Sequence, residues 1–314
     1  MTIIQQMINK YNPITIEDKK NAAKEVLQEV ILAGLSKTDF FTHAAFCGGT
    51  ALRIFYGMDR FSEDLDFSLL VADDNFDMSK YFKAINDVVN SLGLNFEVSK
   101  KDKTTNSNIE SAFLKGNTKE TLITIYPNSS DSKLIIHNEK IIIKFEVDIN
   151  PPLYSKTEIK FRLLPFPYQV RVYDQSSLFA GKIHAVIARS WKNRIKGRDL
   201  YDYVHFLSLE SKVNLRHLEA RLKQTKTIDG NIKLTKVLLT DILEKRFDQI
   251  DYDIAKLDAG PFIKDQSTLN LWSRDFSSGK KPNFDPKPQK SRNDSSYQSS
   301  EPPTKRTSSP FNRR

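Results

Sequence analysis

The chain has 314 residues, a formal charge of +9 from 48 Lys+Arg against 39 Asp+Glu, and 39% apolar content. That length is enough for about two domains, and that apolar share excludes a wholly disordered chain. The lone Cys47 excludes an internal disulfide and a cysteine-built zinc site. Met1–Asn12 carries no signal pattern, and no apolar run approaches the roughly 20 residues of a membrane helix, so the expected setting is the cytoplasm, away from membranes.

Taken in chain order, Thr15 to Asp18 reads as a capping box opening a helix with apolar positions at Ala23, Val26, Leu27, Val30 and Ile31. Ala44–Cys47 reads as a buried strand running through Gly48 and Gly49 into a short helix, Thr50–Tyr56. Leu65–Leu70 predicts a second strand and Met78–Leu92 a helix. Phe96–Ser99, Thr121–Tyr126, Lys133–His137, Lys140–Ile149 and Val170–Tyr173 are β-prone. After Asp174 the pattern turns helical: Ser176–Trp191, Asp199–Leu209, Leu215–Lys223, Ile232–Asp248 and Ser267–Phe276. Ser277–Arg314 holds nine Lys/Arg, three Asp/Glu, six Pro and nine Ser, the composition of a disordered basic tail. The expected organisation is an α/β domain with a mixed sheet over 1–175, a helical domain over 176–276 and the tail over 277–314.

Three features of the first half converge on phosphate chemistry. Gly48, Gly49 and Thr50 form a strand-to-helix turn, where glycine permits close backbone approach and helix-start N–H groups favour phosphate. Asp64 and Asp66 project to one side of their strand, with Leu65 and Phe67 on the other. Two acids on one face repel, and oxygen-only ligation suits Mg²⁺ or Mn²⁺. Taken alone, an exposed edge with two idle acids is the plainer reading. Asp148 lies on a strand expected at the sheet centre and shares its face with Glu146 and Lys144; an acid there is expensive unless paired, solvated or metal-bound. Together the acids suggest a divalent-ion site for phosphoryl transfer.

A run of six Lys/Arg follows over Lys182–Arg198, with Asp199 the first acid after it. Lys182, Arg189 and Lys196 share a stripe if one helix spans them, Gly197 then ends that helix, and Asp199 sits at the cap of the next with Asp202 one turn on. A solvated basic face with a capping aspartate is the bland alternative. Arg53, one turn into its helix, is placed to reach a phosphate or to pair with Glu63. Arg60 and Ser62 sit in the loop before the acidic strand, where residues often line a pocket. His184 reads as a core or surface histidine and Cys47 as a small buried residue.

The stretch Gly48–Phe67, GGTALRIFYGMDRFSEDLDF, resembles the AbiEii family of nucleotidyltransferase toxins from type IV toxin–antitoxin systems, within the DNA polymerase beta-like fold. Lys182 with Arg198, Asp199 and Asp202 resembles that family's second motif block, a lysine followed by Arg-Asp-x-x-Asp. The resemblance implies a nucleotidyltransferase fold and a growth-arresting toxin that moves a nucleoside monophosphate from GTP or another NTP onto an acceptor, possible acceptors including the 3′ end of tRNA. It implies catalytic Asp64, Asp66, Asp148, Lys182 and Asp199 or Asp202, and a separately encoded antitoxin. Metal is expected on Asp64, Asp66 and Asp148, and nucleotide on Gly48, Gly49, Thr50, Arg53 and Lys182. An NTP- or RNA-binding module without turnover, and a transferase acting on small molecules, are the alternatives.

Overall fold

The computed structural model describes residues 1–100, 108–126, 139–189, 196–279 and 282–284. Near its centre lies β5 (Lys140–Asp148), whose alternation is sharp: Ile141, Ile143, Phe145 and Val147 are buried, while Lys144, Glu146 and Asp148 are half-buried on the other face. β5 runs parallel to β2 (Leu65–Leu69) and antiparallel to β4 (Ile109–Asn117). Beyond β2 lie β1 (Ala44–Cys47), β7 (Tyr168–Tyr173) and β6 (Thr157–Arg162); beyond β4 lies β3 (Glu97–Lys100). The result is one mixed seven-stranded sheet in the order β3-β4-β5-β2-β1-β7-β6.

Helices cover both faces because the strands bury apolar residues on one and place charged residues under cover on the other. On the apolar face, α2 (Ile16–Ser36) contacts β5, β7 and α5 (Phe82–Ser91). Its start has the expected reciprocal cap: Thr15 Oγ1 accepts from the Asp18 N–H at 3.1 Å, and the Asp18 carboxylate accepts from the Thr15 N–H at 2.9 Å. Thirteen buried α2 residues, including Ala23, Val26, Leu27, Val30 and Ile31, make it the spine of the core. Ahead of it stands α1 (Ile3–Asn9), and α3 (Phe40–His43) leads into β1.

α4 (Gly48–Phe55) follows β1 directly and lies toward the apolar side, where its Phe55 packs on Phe46 and its Arg53 reaches Glu25 of α2. On the charged face, α7 (Gln175–Ala188) leaves β7 through the Asp174 cap. Then come α8 (Gly197–Ser208), α9 (Leu215–Gln224), α10 (Lys236–Phe247), α11 (Tyr252–Ala259) and α12 (Arg274–Gly279). The α/β first half and helical second half agree with the sequence pattern.

Several expectations are corrected. Thr121–Tyr126 is not a strand: α6 (Thr118–Ile125) forms there, because Asn117 accepts from the Glu120 N–H at 3.0 Å and Leu122 and Ile125 bury one helical stripe. Local capping overrides the β-branched composition. The Met78–Leu92 helix begins as a 3-10 turn, Met78–Tyr81, and Ser267–Phe276 divides into a 3-10 segment, Gln266–Leu271, and α12. Gly197 begins α8 instead of ending α7. A Cβ there would collide with the Ala255 carbonyl of α11, so glycine serves close helix packing. Asp199 accordingly lies in the first turn of α8, whose N-cap is Lys196. Inside the expected tail, Asn283–Phe284 pairs as β9 with β8 (Lys212–Val213). The Lys133–His137 strand, the 190–195 end of the first basic helix and residues 285–314 lie outside the described residues.

Candidate active site

Parallel pairing sets Asp66 beside Glu146 and Ser68 beside Asp148, so these four share the face under α7. Antiparallel pairing adds Cys47 beside Asp66. Gly48 has φ of 77°, and a Cβ there would strike the Asp66 carboxylate. Glycine is therefore required twice over, for its dihedral and for the space. Gly49 is equally tight, since its Cβ would sit 2.7 Å from Arg60 Nη2 and 2.9 Å from Ser62 Oγ.

A cleft of about 380 Å³ opens between this face and the helices. Asp66, Glu146 and Asp148 supply its acidic wall; Lys182, His184 and Arg189 from the α7 end, with Asp199 and Arg221, line the other side. Ser68 is fixed by the Tyr173 hydroxyl, which donates to its Oγ at 2.8 Å. Burial, reinforced by the charges of Asp64 and Glu146, pushes the Asp66 carboxyl up to about 6 against the pull of Lys182. Burial also raises Asp148, opposed by the Asn150 N–H it accepts at 3.0 Å and by Arg221. Raised carboxyls in a cleft mark a place where anionic charge has been gathered for use. Burial and Asp66 push the Cys47 thiol up, so it is no thiolate nucleophile.

Lys182 is held from behind. Its Nζ lies 2.8 Å from Asp202 Oδ2 and 3.7 Å from Asp199 Oδ1. Asp202, with no exposed surface, also receives a two-pronged pair from Arg60, with Nε at 2.5 Å and Nη2 at 2.6 Å. Burial acts to raise Asp202, but Arg60 and Lys182 win and hold it at about 2. Arg189 pairs with Asp199 at 2.6 Å. Asp202 therefore aims Lys182, and Arg60, expected in the pocket wall, is the buried counter-charge that makes this possible.

Other sequence expectations divide. Gly48 and Lys182 line the cleft, as do Asp66, Asp148 and Asp199. Asp64 is exposed and outside the lining, though its charge reaches Asp66. Gly49 and Thr50 are buried, and the Thr50 hydroxyl donates to the Asp64 carbonyl, fixing the entry to β2. Arg53 is turned away: it pairs with Glu25 at 3.1 Å, not with Glu63, and donates to the Met58 and Asp59 carbonyls at 2.9 Å each. Its place as a nucleotide contact is corrected on that ground. Glu146 is engaged by Lys144 at 2.7 Å and by the Ser111 hydroxyl at 2.8 Å. His184 accepts or donates with Thr225 at 3.1 Å, and burial holds it down at about 3, a neutral ring.

Among the described residues, no three His, Cys, Asp or Glu side chains form a ready-made ion cage. Mg²⁺ does not need one, since it is commonly bound through one or two carboxylates plus substrate phosphates and water. The hard, anionic, oxygen-only donor set of Asp66 and Asp148, with Asp64 nearby, fits such an ion.

Residues 30–285 match the model of the nucleotidyl transferase AbiEii toxin of type IV toxin–antitoxin systems. The chain belongs to the AbiEii family. It is a nucleotidyltransferase, in a family that uses an NTP and a divalent metal and whose toxins are paired with an antitoxin. Similar solved structures include MenT4, a nucleotidyltransferase toxin of Mycobacterium tuberculosis H37Rv, at 20% identity over 76% of each chain with a TM-score of 0.47. JHP933 of Helicobacter pylori is 18% identical over 84% of this chain and 88% of its own, with a TM-score of 0.44. No curated protein matches. Among the described residues of this AbiEii chain, no helix is long and apolar enough to cross a membrane.

The AbiEii resemblance pointed to Asp66, Lys182 and Asp199 or Asp202; Arg60 was expected only to line the pocket, not to pair with Asp202, and Arg221 was missed. The Arg60–Asp202 pair spans 142 positions, and no local signal announces it. Arg221 stood in a helix that reads as ordinary and amphipathic.

Proposed function

We propose that this cleft transfers a nucleoside monophosphate from an NTP, with GTP the expected donor, to an acceptor hydroxyl, with the 3′ end of tRNA the expected acceptor. The carrying observation is the register that sets Asp66 and Asp148 on one sheet face, across the cleft from Lys182. A divalent cation, Mg²⁺ or Mn²⁺, held by Asp64, Asp66 and Asp148, would neutralise phosphate charge and acidify the attacking hydroxyl. Asp148 takes the hydroxyl proton. The acceptor oxygen bonds to the α-phosphorus, the bond to the bridging oxygen breaks, and pyrophosphate leaves. Lys182, steadied by Asp202 and Asp199, faces the phosphates, while the Gly48 turn lets them approach the backbone. The basic second half suits an RNA acceptor through phosphate attraction.

Purified protein, Mg²⁺ and each α-labelled NTP in turn, with total RNA as acceptor, test this reading. Label should enter RNA with GTP, and Lys182→Ala and Asp64→Ala should abolish both transfer and growth arrest. Transfer to protein or to small molecules alone would reject the RNA acceptor; no transfer from any NTP would reject the reaction.

A further inference from the structure

The cations of the cleft differ in how their charge is spent. Lys182 lies against Asp202 and Asp199, and Arg189 against Asp199. Arg221 also lines the cleft, makes no ion pair among the described residues, and has a buried Nε with no hydrogen-bond partner. An arginine donor shut away from water and unused is costly unless a ligand completes it.

The element carrying Arg221 is fixed in place. Asn214 caps α9, accepting from the His217 N–H at 3.1 Å, and its amide donates to the Tyr154 carbonyl at 2.8 Å and to Ser177 at 3.1 Å. His217 meets the Leu153 carbonyl at 2.7 Å, and Gln224 donates to the Asn150 carbonyl at 2.8 Å. His217, Arg221 and Gln224 are spaced i, i+4, i+7, one helical face. Two of the three grip the chain just after Asp148, so the third is directed at the same end of the cleft. Arg221 acts electrostatically on Asp148 and on Cys47, on either side of the space between β5 and the Gly48 turn. It is not close enough to Asp148 to form an ion pair with it.

We propose that Arg221 is a phosphate-binding residue, holding the triphosphate of the nucleotide and the pyrophosphate it releases. The proposal rests on the nucleotidyl-transfer reading of this cleft. A guanidinium offers several N–H donors in a fixed fork matched to phosphate oxygens. A departing pyrophosphate gains charge as the bond to the α-phosphorus breaks, and among the described residues Arg221 is the arginine of the cleft that forms no ion pair.

The test uses the full chain with Mg²⁺ and no acceptor. Binding of labelled GTP and its competition by inorganic pyrophosphate are measured for wild type, Arg221→Gln and Arg221→Lys, with thermal unfolding of each. Arg221→Gln should weaken both affinities about tenfold or more, as expected for losing a charge-assisted pair, with unfolding near wild type. Arg221→Lys should recover part of the pyrophosphate affinity, which a packing role would not produce. Wild-type affinities in Arg221→Gln, or equal losses in both variants tracking a fall in thermal stability, would overturn the role of Arg221 alone. Wild-type protein that binds neither GTP nor pyrophosphate would overturn the underlying reading as well.

Discussion

Asp202 shows what a single residue does for this site. Two cations converge on a carboxylate with no exposed surface, and its low pKa records their combined hold. Removing the acid leaves Arg60 buried without its carboxylate counter-charge, so Asp202→Asn should destabilise the fold by roughly 3–5 kcal/mol near neutral pH. A carboxyl held at about 2 when folded contributes stability that is complete above its unfolded value and is lost as pH falls toward 2. The difference in stability between wild type and Asp202→Asn should therefore shrink on acid titration below about pH 4, as followed by chemical denaturation. Asp66 has the opposite sign. Its raised pKa means its charge costs stability at neutral pH without a cation. Asp66→Asn should raise the stability of metal-free protein by roughly 1–3 kcal/mol, and should remove the gain on adding Mg²⁺, which for wild type reaches about 2.7 kcal/mol at a hundredfold excess over Kd. Melting curves with and without chelator check both.

At the scale of elements, the Gly48 turn and α2 carry the contrast between local and distant cause. Gly48→Ala combines a strained left-handed dihedral with a collision against Asp66, so transfer activity should fall at least tenfold with a stability loss of about 1–2 kcal/mol. Arg53 sits one turn further along the same helix yet serves α2 through Glu25. Arg53→Ala should cost about 1–3 kcal/mol in stability and leave GTP affinity within twofold of wild type; a larger affinity loss would return Arg53 to the site. The alternation of β5 and the cap of α2 were legible because each is a rule over a few residues. The strands β4 and β6 were missed because their patterns, mixed with Glu110, Ser111, Lys115, Glu158 and Lys160, become strands through pairing with β5 and β7. α6 was misread because a cap decided between two compatible propensities.

At the scale of the molecule, the cleft exists because the helical half is pinned to the charged face of the sheet. Asn214 joins α9 to α7 and to the loop after β5 through its side chain and its N–H, which donates to the Ser176 carbonyl at 3.1 Å. Asn214→Ala should cost about 2–3 kcal/mol and lower kcat/KM more than it lowers chain stability predicts, because two walls of one site are tied there. Activity measured well below the variant's melting temperature separates these effects.

The sequence by itself determined the acidic face and its motif. Strand parity sets Glu146 and Asp148 on one side of their strand and Asp66 opposite Leu65 and Phe67 on its own, without reference to the rest of the chain, and the pattern over Gly48–Phe67 is that of the AbiEii family; the β2–β5 register that unites the two strands' acids on one face is tertiary. Only the tertiary structure decided which charges are free to act. Arg60 goes to Asp202, Arg53 to Glu25, and Arg221 is left open to the cleft. Those assignments join residues from distant stretches, and burial, which sets the strength of every charge pair, is a property of the packed whole.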